Sequence, residues 1–439
     1  MRNQFTLHNG DCLEVLKTFA DNSIDSIVTD PPYGISFMAH KWDHEIPSVD
    51  VFRECLRVLK PGGHILCFAG TKTQHRMAVN IEDAGFEIRD MIGWMYGSGF
   101  PKSMDVSKAV DGLLTKGRCD SKAIKKVNES RPGLEKVRTS TTNGHSGFVG
   151  SSSAGPSIKR DTPITNEALE WKGWGTALKP AFEPITVARK PFKGTVAANV
   201  LAHGTGAINI DRCRVPFVSD ADESESKGKN QHAAHGNDSA RQNTIYGDMS
   251  QGVRGDYDAP GRWPANIIHD GSPDVLATFP EQSSTTGKRK KADRVQDELG
   301  VTGFSRSKDA PEYTDSGSPA RFFYCAKTSP KDRHEGLDRP TNKLAHGSTL
   351  RQAENLPKQG NYHSTVKPFE LMKYLCELFT PTGGVILDPF MGSGSTGKAA
   401  VSAGFNFVGV EIDAGYFDIA MKRIAHAQAL CSEAKHGAQ

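Results

Sequence analysis

The stretch GVILDPFMGSGSTG at residues 384–397 decides the fold class of this chain. Its first five residues have the apolar composition of a buried strand, a glycine-rich turn follows, and a helix is expected from there through Ala400. Glycines let a ligand approach the backbone closely, and the N-terminus of a helix favours negative charge. This order of elements predicts a ligand site in an α/β sheet.

Similar elements flank this turn. Upstream, Pro368 begins a predicted helix that has apolar residues on one face. Downstream, a strand is predicted over 405–412 and a last helix over 416–429. Glu411 ends that strand, nineteen residues after Gly392, where a carboxylate that binds ribose hydroxyls belongs in a nucleoside site.

The N-terminal hundred residues have the same alternation. The predicted elements are a strand at 26–30, a helix at 50–60 stopped by Pro61-Gly62-Gly63, a strand at 64–68, a helix at 73–84 and a strand at 87–95. Strands that alternate with helices in this way predict a parallel sheet covered by helices.

Composition limits the class of protein. Of the 439 residues, 37% are hydrophobic and 24% are charged, so part of the chain is expected to form loops or extended inserts. The net charge of +3 is too mild to indicate a nucleic-acid partner by itself. The basic excess lies in the middle, with 14 Lys and Arg against 8 Asp and Glu over 102–180, and 11 against 7 over 285–333.

The cysteines and the absence of apolar runs indicate a cytoplasmic location. The eight cysteines form no Cys-x-x-Cys pair, which is typical of a reduced protein and argues against a zinc ribbon. No signal peptide and no apolar run of about 18 residues is apparent, so no membrane partner is expected. No histidine pair has metal spacing beside a carboxylate, so no metal is expected either.

The sharpest chemical signal is Asp30-Pro31-Pro32-Tyr33 at the end of a strand. Ligands of open α/β sheets bind beyond the carboxyl ends of strands, so the Asp30 carboxylate and the Pro31 carbonyl are expected to face a crevice. Together they can accept both hydrogens of an aromatic amino group and direct its lone pair at a methyl donor. Tyr33 would stack on the base. The alternative is a Pro-Pro turn in which Asp30 caps the next helix.

The glycine-rich turn has competing interpretations. Residues 392–398 also fit G-x-x-x-x-G-K, the pattern of a phosphate-binding loop in ATPases. The Ser or Thr that would hold magnesium after Lys398 is replaced by Ala399, and such an enzyme has no use for Glu411. A tight strand–helix turn of purely structural use is the third interpretation.

With both motifs placed, the chain resembles the beta group of DNA amino-methyltransferases, in which the catalytic motif precedes the cofactor loop. Asn9-Gly10-Asp11-Cys12 matches the segment before the catalytic motif, and Arg57 to Gly63 matches the helix and turn after it. Residues 182–185 with 188–191 resemble the segment that closes the target-base pocket. His363-Ser364-Thr365-Val366-Lys367-Pro368 resembles the family's His-Pro-Thr-Gln-Lys-Pro element, with departures at Ser364 and Val366.

The resemblance implies an α/β, Rossmann-like sheet assembled from both chain ends, with a long central insertion. It also implies direct transfer of a methyl group from S-adenosylmethionine (AdoMet) to a flipped-out base in double-stranded DNA. Asp30, Pro31, Pro32 and Tyr33 would be the catalytic residues. The residues that would bind AdoMet are Asp11, near its adenine, Thr365 and Lys367, near its methionine end, and Asp388, Phe390, Gly392, Gly394, Ser395, Thr396 and Glu411.

The residue type at Asp30 favours one of the possible methylated atoms. Asp in the first position of the catalytic motif favours N6 of adenine, and N4 of cytosine is the alternative. RNA or protein amino groups, a P-loop ATPase and an inactive DNA-binding module are more distant alternatives. A separate restriction endonuclease and a homodimer stay open as partners.

The predicted domain boundaries follow from these segments. They are a catalytic half at 1–101, a basic and partly flexible insertion at 102–180, a return to the catalytic domain at 181–192, a target-recognition region at 193–360, an AdoMet-binding half at 361–430 and a tail at 431–439.

Overall fold

The computed structural model describes most of the chain. The described residues are 4–35, 43–99, 103–116, 165–224, 226–227, 259–285, 314–327, 329, 331–337 and 360–436.

A mixed sheet of nine described strands forms the centre of the larger compact unit, which comprises Met1–Gly97 and Phe182–Gln439. In chain order, the eleven described strands, nine of them in this sheet, are β1 (Phe5–Asn9), β2 (Ile24–Thr29), β3 (Leu59–Phe68), β4 (Glu87–Met95), β5 (Phe182–Arg189), β6 (Ile267–His269), β7 (Gln282–Thr285), β8 (Thr314–Gly317), β9 (Tyr324–Cys325), β10 (Val385–Asp388) and β11 (Asn406–Glu411). Across the sheet their order is β1-β11-β10-β2-β3-β5-β4-β6-β9, and β7 pairs with β8 separately.

The two chain ends interleave in this sheet, as the resemblance implied. β11 lies between β1 and β10, with Phe5 opposite Phe407, and β10 in turn pairs with β2. These pairs are all parallel, so the carboxyl ends of β2, β10 and β11 meet at one edge of the sheet, where ligands of such folds bind. The predicted α/β sheet assembled from both chain ends is confirmed.

The prediction of a wholly parallel sheet is wrong at β5. This strand runs antiparallel between β3 and β4, and Ile185 pairs with both Phe68 and Ile92. β5 pairs directly beside β4, the strand that precedes it in the chain, and such neighbours commonly run antiparallel because a parallel pair needs a crossover connection. The segment that the resemblance placed over the target-base pocket therefore lies in the centre of the sheet. Its N-terminal end reaches the same edge as the carboxyl ends of the parallel strands.

Helices cover both faces of the sheet. The described helices of both units, in chain order, are α1 (Cys12–Leu16), α2 (Val49–Val58), α3 (Gln74–Asp83), α4 (Val106–Lys116), α5 (Asn166–Glu170), α6 (Val196–His203), α7 (Pro273–Leu276), α8 (Lys331–His334), α9 (Phe369–Phe379), α10 (Ser395–Ser402) and α11 (Ala414–His436), and α4 and α5 belong to the smaller unit described below. One apolar core lies beneath α1, α2 and α3, and the other lies beneath α9, α10 and α11. The result is a three-layer arrangement in which buried strands are covered on both faces.

Two predicted boundaries move. α2 ends at Val58 instead of Lys60, because Leu59 already has extended backbone and begins β3. Pro61-Gly62-Gly63 forms an irregular part of that strand, and the register against β2 shifts there. The last helix begins at Ala414 and continues to His436, so most of the segment predicted as a tail, 431–439, is helical.

Part of the region predicted for target recognition, 193–360, is built into the larger unit. β6 pairs with β4, and β9 extends the sheet beyond β6. α6 packs on β3, where Asn199 Nδ2 and Thr205 Oγ1 donate hydrogen bonds to Pro61 O at 2.9 and 2.6 Å. A role of this region in target recognition stays a prediction.

The smaller compact unit comprises Ser98–Ala181. Within its described part, Ser107 Oγ on α4 donates to Ala168 O on α5 at 2.7 Å, and both side chains are buried. These bounds lie close to the predicted insertion at 102–180.

The described helices include none that is long and apolar enough to cross a membrane.

Candidate active site

Asp388, the last residue of β10, anchors the glycine-rich turn. Its buried carboxylate accepts hydrogen bonds from Thr29 Oγ1 at 2.7 Å, from Phe390 N at 3.1 Å and from Thr396 Oγ1 at 2.6 Å. Burial raises the pKa of Asp388 to about 6, although the hydrogen bonds favour the ionised form. Both oxygens are engaged within the protein. Asp388 and Thr396 thereby position the turn, and the contact with AdoMet that the resemblance implied for them stays a prediction.

Glu411 faces the turn from the end of β11. Its Oε2 accepts a hydrogen bond from Gly392 N and its Oε1 accepts one from Asp413 N, both at 2.8 Å. Burial raises the pKa of this carboxyl. Gly392 has a φ of 53°, and a Cβ there would lie 3.0 Å from the His363 ring. A carboxylate beside backbone without a side chain fits a ribose, whose hydroxyls need an acceptor and close approach.

The other implied cofactor residues border the same turn. Asp11 follows β1 and caps α1 by accepting from Leu13 N at 2.9 Å, and the adjacent Gly10 N donates to Glu411 O at 3.0 Å. Gly394, with a φ of 79°, and Ser395 lie at the start of α10, and Phe390 is half-buried. These residues share the carboxyl edge of the sheet with Glu411.

The segment that ends in Lys367 lies against the turn. His363 Nδ1 accepts a hydrogen bond from Thr365 N at 3.3 Å, and the His363 ring contacts Tyr416 edge to face at 4.6 Å. Burial lowers the pKa of His363 to about 4, and the Lys367 charge acts in the same direction. The imidazole is therefore neutral near pH 7 and acts as a wall of the site.

The catalytic motif forms a buried polar cluster at the end of β2. Asp30 Oδ1 accepts a hydrogen bond from the Tyr33 hydroxyl, and Asp30 Oδ2 pairs with Lys367 Nζ, both at 2.7 Å. Glu183, at the start of β5, completes the cluster: its Oε2 lies 3.2 Å from Lys367 Nζ and 3.3 Å from the Tyr33 hydroxyl. Glu183 lies in the segment 182–185 that the resemblance placed over the target-base pocket, but it was not among the predicted site residues.

The cluster shifts the ionisation of its members. Burial alone would lower the pKa of Lys367, but the carboxylates of Asp30 and Glu183 outweigh it and raise that pKa above its usual value. Burial and the same two carboxylates raise the pKa of the Tyr33 hydroxyl. Burial and Glu183 raise the pKa of Tyr96, at the end of β4, to about 12. Lys367 is thus a cation and Tyr33 a neutral donor at physiological pH.

The backbone of the motif is fixed from two sides. Asp43 Oδ1 accepts from Tyr33 N at 2.6 Å and from Gly34 N at 3.0 Å, and Thr73 Oγ1 donates to Tyr33 O at 2.7 Å. The N-cap of the next described helix, α2, is Ser48. This arrangement disfavours the alternative in which Asp30 merely caps a helix. Pro31 is buried and Pro32 half-buried between these contacts.

The ATPase interpretation fails on the position of Lys398. A phosphate-binding lysine has to reach the phosphates held by the glycine-rich loop. Lys398 Nζ instead pairs with Glu335 Oε2 at 2.6 Å and lies 5.1 Å from the centre of the Phe369 ring, with 7% of its side chain exposed.

A buried arginine, also not found from the sequence, holds the turn from α11. Arg423 is 1% exposed, donates to the carbonyl and hydroxyl oxygens of Ser393, and donates to Asp332 O at 2.6 Å. Burial lowers its pKa to about 10, which leaves it charged at neutral pH. Within the described ranges, no group of three or more His, Cys, Asp or Glu side chains is arranged to hold a metal.

A glycine-rich turn facing one carboxylate, with a second carboxylate beside a proline carbonyl on a neighbouring strand, fits the class of AdoMet-dependent amino-methyltransferases. The family model N6_N4_Mtase, described as a DNA methylase, matches residues 24–422. The chain belongs to this family of DNA methylases, whose cofactor is AdoMet.

Individual relatives match smaller parts. Type II methyltransferase M.HindIII of Haemophilus influenzae is 26% identical over 247 residues, 46% of this chain and 64% of its own length. DNA adenine methyltransferase YhdJ of Escherichia coli is 37% identical over 62 residues, 14% of this chain and 21% of its own length. The chain thus spans less than two thirds of either relative. The solved structure of the cytosine-N4-specific PvuII DNA methyltransferase is 13% identical, covers 98% of this chain and 93% of its own, and has a TM-score of 0.39.

Proposed function

We propose that the protein transfers the methyl group of AdoMet to N6 of adenine in double-stranded DNA. The observation that carries the proposal is the Asp30 carboxylate, held at the carboxyl end of β2 next to Pro31 and on the same sheet edge as Glu411. The name of YhdJ supports adenine as the target, and the name of the PvuII enzyme keeps N4 of cytosine as the second candidate. A paired restriction endonuclease, a homodimer and a cytoplasmic location belong to the same proposal.

AdoMet and the target base would bind at two adjacent parts of the sheet edge. Glu411 and the backbone of the turn would bind the ribose of AdoMet, which supplies an electrophilic methyl group when bound. Asp30 and the Pro31 carbonyl would accept the two hydrogens of the target amino group, and these bonds strengthen as positive charge grows on its nitrogen. Tyr33 would stack on the flipped base. Asp388, Asp43 and Arg423 hold these groups in place.

The proposed activity is tested by expressing the protein in a host that lacks DNA methylation and sequencing the DNA by a single-molecule method. We expect N6-methyladenine at one short sequence. N4-methylcytosine would establish the second candidate, and tritium transfer from labelled AdoMet to RNA or protein but not to DNA would overturn both.

Replacing Glu411 with alanine should weaken AdoMet binding about tenfold to a hundredfold, because a charge-assisted hydrogen bond contributes about 1.5–3 kcal/mol. Isothermal titration calorimetry measures the change. Glu82→Ala, at an exposed position of α3, is the control and should leave AdoMet affinity unchanged. An AdoMet Kd that is the same in Glu411→Ala and in the wild type would contradict the assignment of Glu411 to the ribose.

Sequence choice is expected to reside between residues 191 and 360, where loops on a rigid sheet can contact bases. The exchanged segment should end at residue 328, because Arg333 donates to His363 O at 2.7 Å and is part of the AdoMet side. Exchange of 191–328 for the matching part of a relative should change the methylated sequence and keep the methylated atom. A folded chimera that methylates the original sequence would place recognition elsewhere, with 102–180 the next region to test.

Lys290 and Lys291, expected to contact phosphates, lie outside the described residues.

A further inference from the structure

We propose that Glu183 is a positioning residue for methyl transfer, which shares the Lys367 ammonium with Asp30 and keeps the buried cluster at a net charge of −1, from two carboxylates and one ammonium. The inference rests on the proposed function, the methylation of an amino group in DNA.

The geometry of Glu183 follows from the direction of β5. Because this strand is antiparallel, its first residues lie at the edge where the parallel strands end, and Glu183 pairs with Trp94 there. Its side chain is 20% exposed, and it contacts Lys367, whose side chain is 7% exposed. Removing a carboxylate from water lowers the stability of the folded state unless an opposite charge or hydrogen bonds compensate.

Asp30 would bind the target amino group weakly if it were the only carboxylate paired with Lys367. One of its oxygens accepts from Tyr33 and the other from Lys367. An ionised carboxylate has about four lone-pair sites, so Asp30 Oδ2 can accept a second hydrogen bond. The second donor would be the target amino group, and the nearby Lys367 ammonium repels the positive charge that grows on it during transfer. Glu183 offers Lys367 a second carboxylate 3.2 Å away, so the ammonium can lean towards Glu183 when an amino group binds Asp30.

The net charge of the cluster also supports a positioning role for Glu183. During transfer, the nitrogen lone pair forms the new N–C bond, and the electrons of the broken S–C bond stay on sulfur. Positive charge moves to the nitrogen, which then releases one proton through Asp30 to water. A neutral pair of Asp30 and Lys367 would stabilise this charge poorly in a buried site, whereas a cluster with net negative charge stabilises it more strongly.

The test compares Glu183→Gln with the wild type in DNA methylation and in AdoMet binding. Gln keeps the size and the acceptor oxygen but removes the charge, and we expect kcat to fall at least about tenfold while the AdoMet Kd stays within about twofold. Glu183→Asp, which keeps the charge, should retain more of the rate. The matched control is Glu87→Gln, which removes a carboxylate paired with Arg189 at 2.6 Å at the other end of the same strands, and should not change kcat.

The double variant Glu183→Gln with Lys367→Met restores the net charge of −1 and supplies a second test. If charge is the cause, it should be at least about threefold faster than Glu183→Gln at saturating AdoMet. A Glu183→Gln variant as fast as the wild type, or a double variant slower than both single variants, would overturn the inference while the proposed function stands. If Glu183→Gln does not fold, Glu183→Asp alone decides the inference: a kcat near that of the wild type supports the role of charge, and a kcat at least about tenfold lower with an unchanged AdoMet Kd refutes it. No methyl transfer to DNA by the wild type would overturn the proposed function instead.

Discussion

Asp30→Ala should reduce DNA methylation by more than about a hundredfold, the usual consequence of losing a group that stabilises a developing charge. AdoMet binding should stay nearly intact. The hydrogen bonds of Asp30 go to Tyr33 and Lys367, and none goes to the glycine-rich turn or to Glu411. Lys367 keeps Glu183 as a partner in the variant, so the cluster does not leave an unpaired buried cation.

The rate at saturating AdoMet and the calorimetric Kd together decide this prediction. Asp21→Ala is the control, because Asp21 is an exposed carboxylate paired with Arg57 and should affect neither quantity. Asp30→Asn separates charge from shape. An AdoMet affinity that falls in parallel with the rate would contradict the assignment of Asp30 to the target base.

Arg423→Met should lower the free energy of unfolding by about 2–5 kcal/mol, because it removes the donor from the buried Ser393 carbonyl and from the partly buried Asp332 carbonyl. The same change should weaken AdoMet binding, since Ser393 lies inside the turn that carries Gly392. Denaturant unfolding with and without AdoMet measures both effects, as ligand binding adds to the stability of the folded state.

Arg212→Met provides the matched comparison. Arg212 pairs with a carboxylate, that of Glu377 at 2.7 Å, and 42% of its side chain is exposed. An exposed pair of this kind contributes about 0–1 kcal/mol. Equal losses of stability in the two variants would show that Arg423 does not act as a buried clamp.

Local patterns located the parts of the site that are contiguous in sequence. Asp30 to Tyr33 and the turn with Gly392 each carry their chemistry within a few residues, and Glu411 follows at a spacing set by one helix and one strand. Arg423 had no such signal, and for Glu183 the resemblance indicated only the segment 182–185 and not the residue. Glu183 reaches Tyr33 across 150 residues, and a single arginine in a long helix gives no sign that it will be buried.

The elements of the fold were predictable from local patterns, but the direction of one strand was not. Alternating strands and helices gave the sheet and its two covered faces, but direction is not encoded in a strand's own composition. β5 follows a long insertion, so its antiparallel orientation depends on which neighbour it rejoins. The last helix was underestimated because its apolar spacing weakens after about residue 429, while nothing there breaks a helix.

The interleaving of β1 and β11 has a consequence for how the protein is made. β1 and β11 are joined by a hydrogen bond across 402 residues of sequence, between Gln4 N and Asn406 Oδ1. A ribosome adds about 5–20 residues per second, so the partner strand of β1 emerges roughly 20–80 s after β1 itself. During that interval the nascent chain contains Asp30, the proposed acceptor for the target amino group, but not the glycine-rich turn proposed to bind AdoMet. Methylating activity should therefore appear only after β11 has been synthesised, and chaperones that shield unpaired strands should be most needed before that moment.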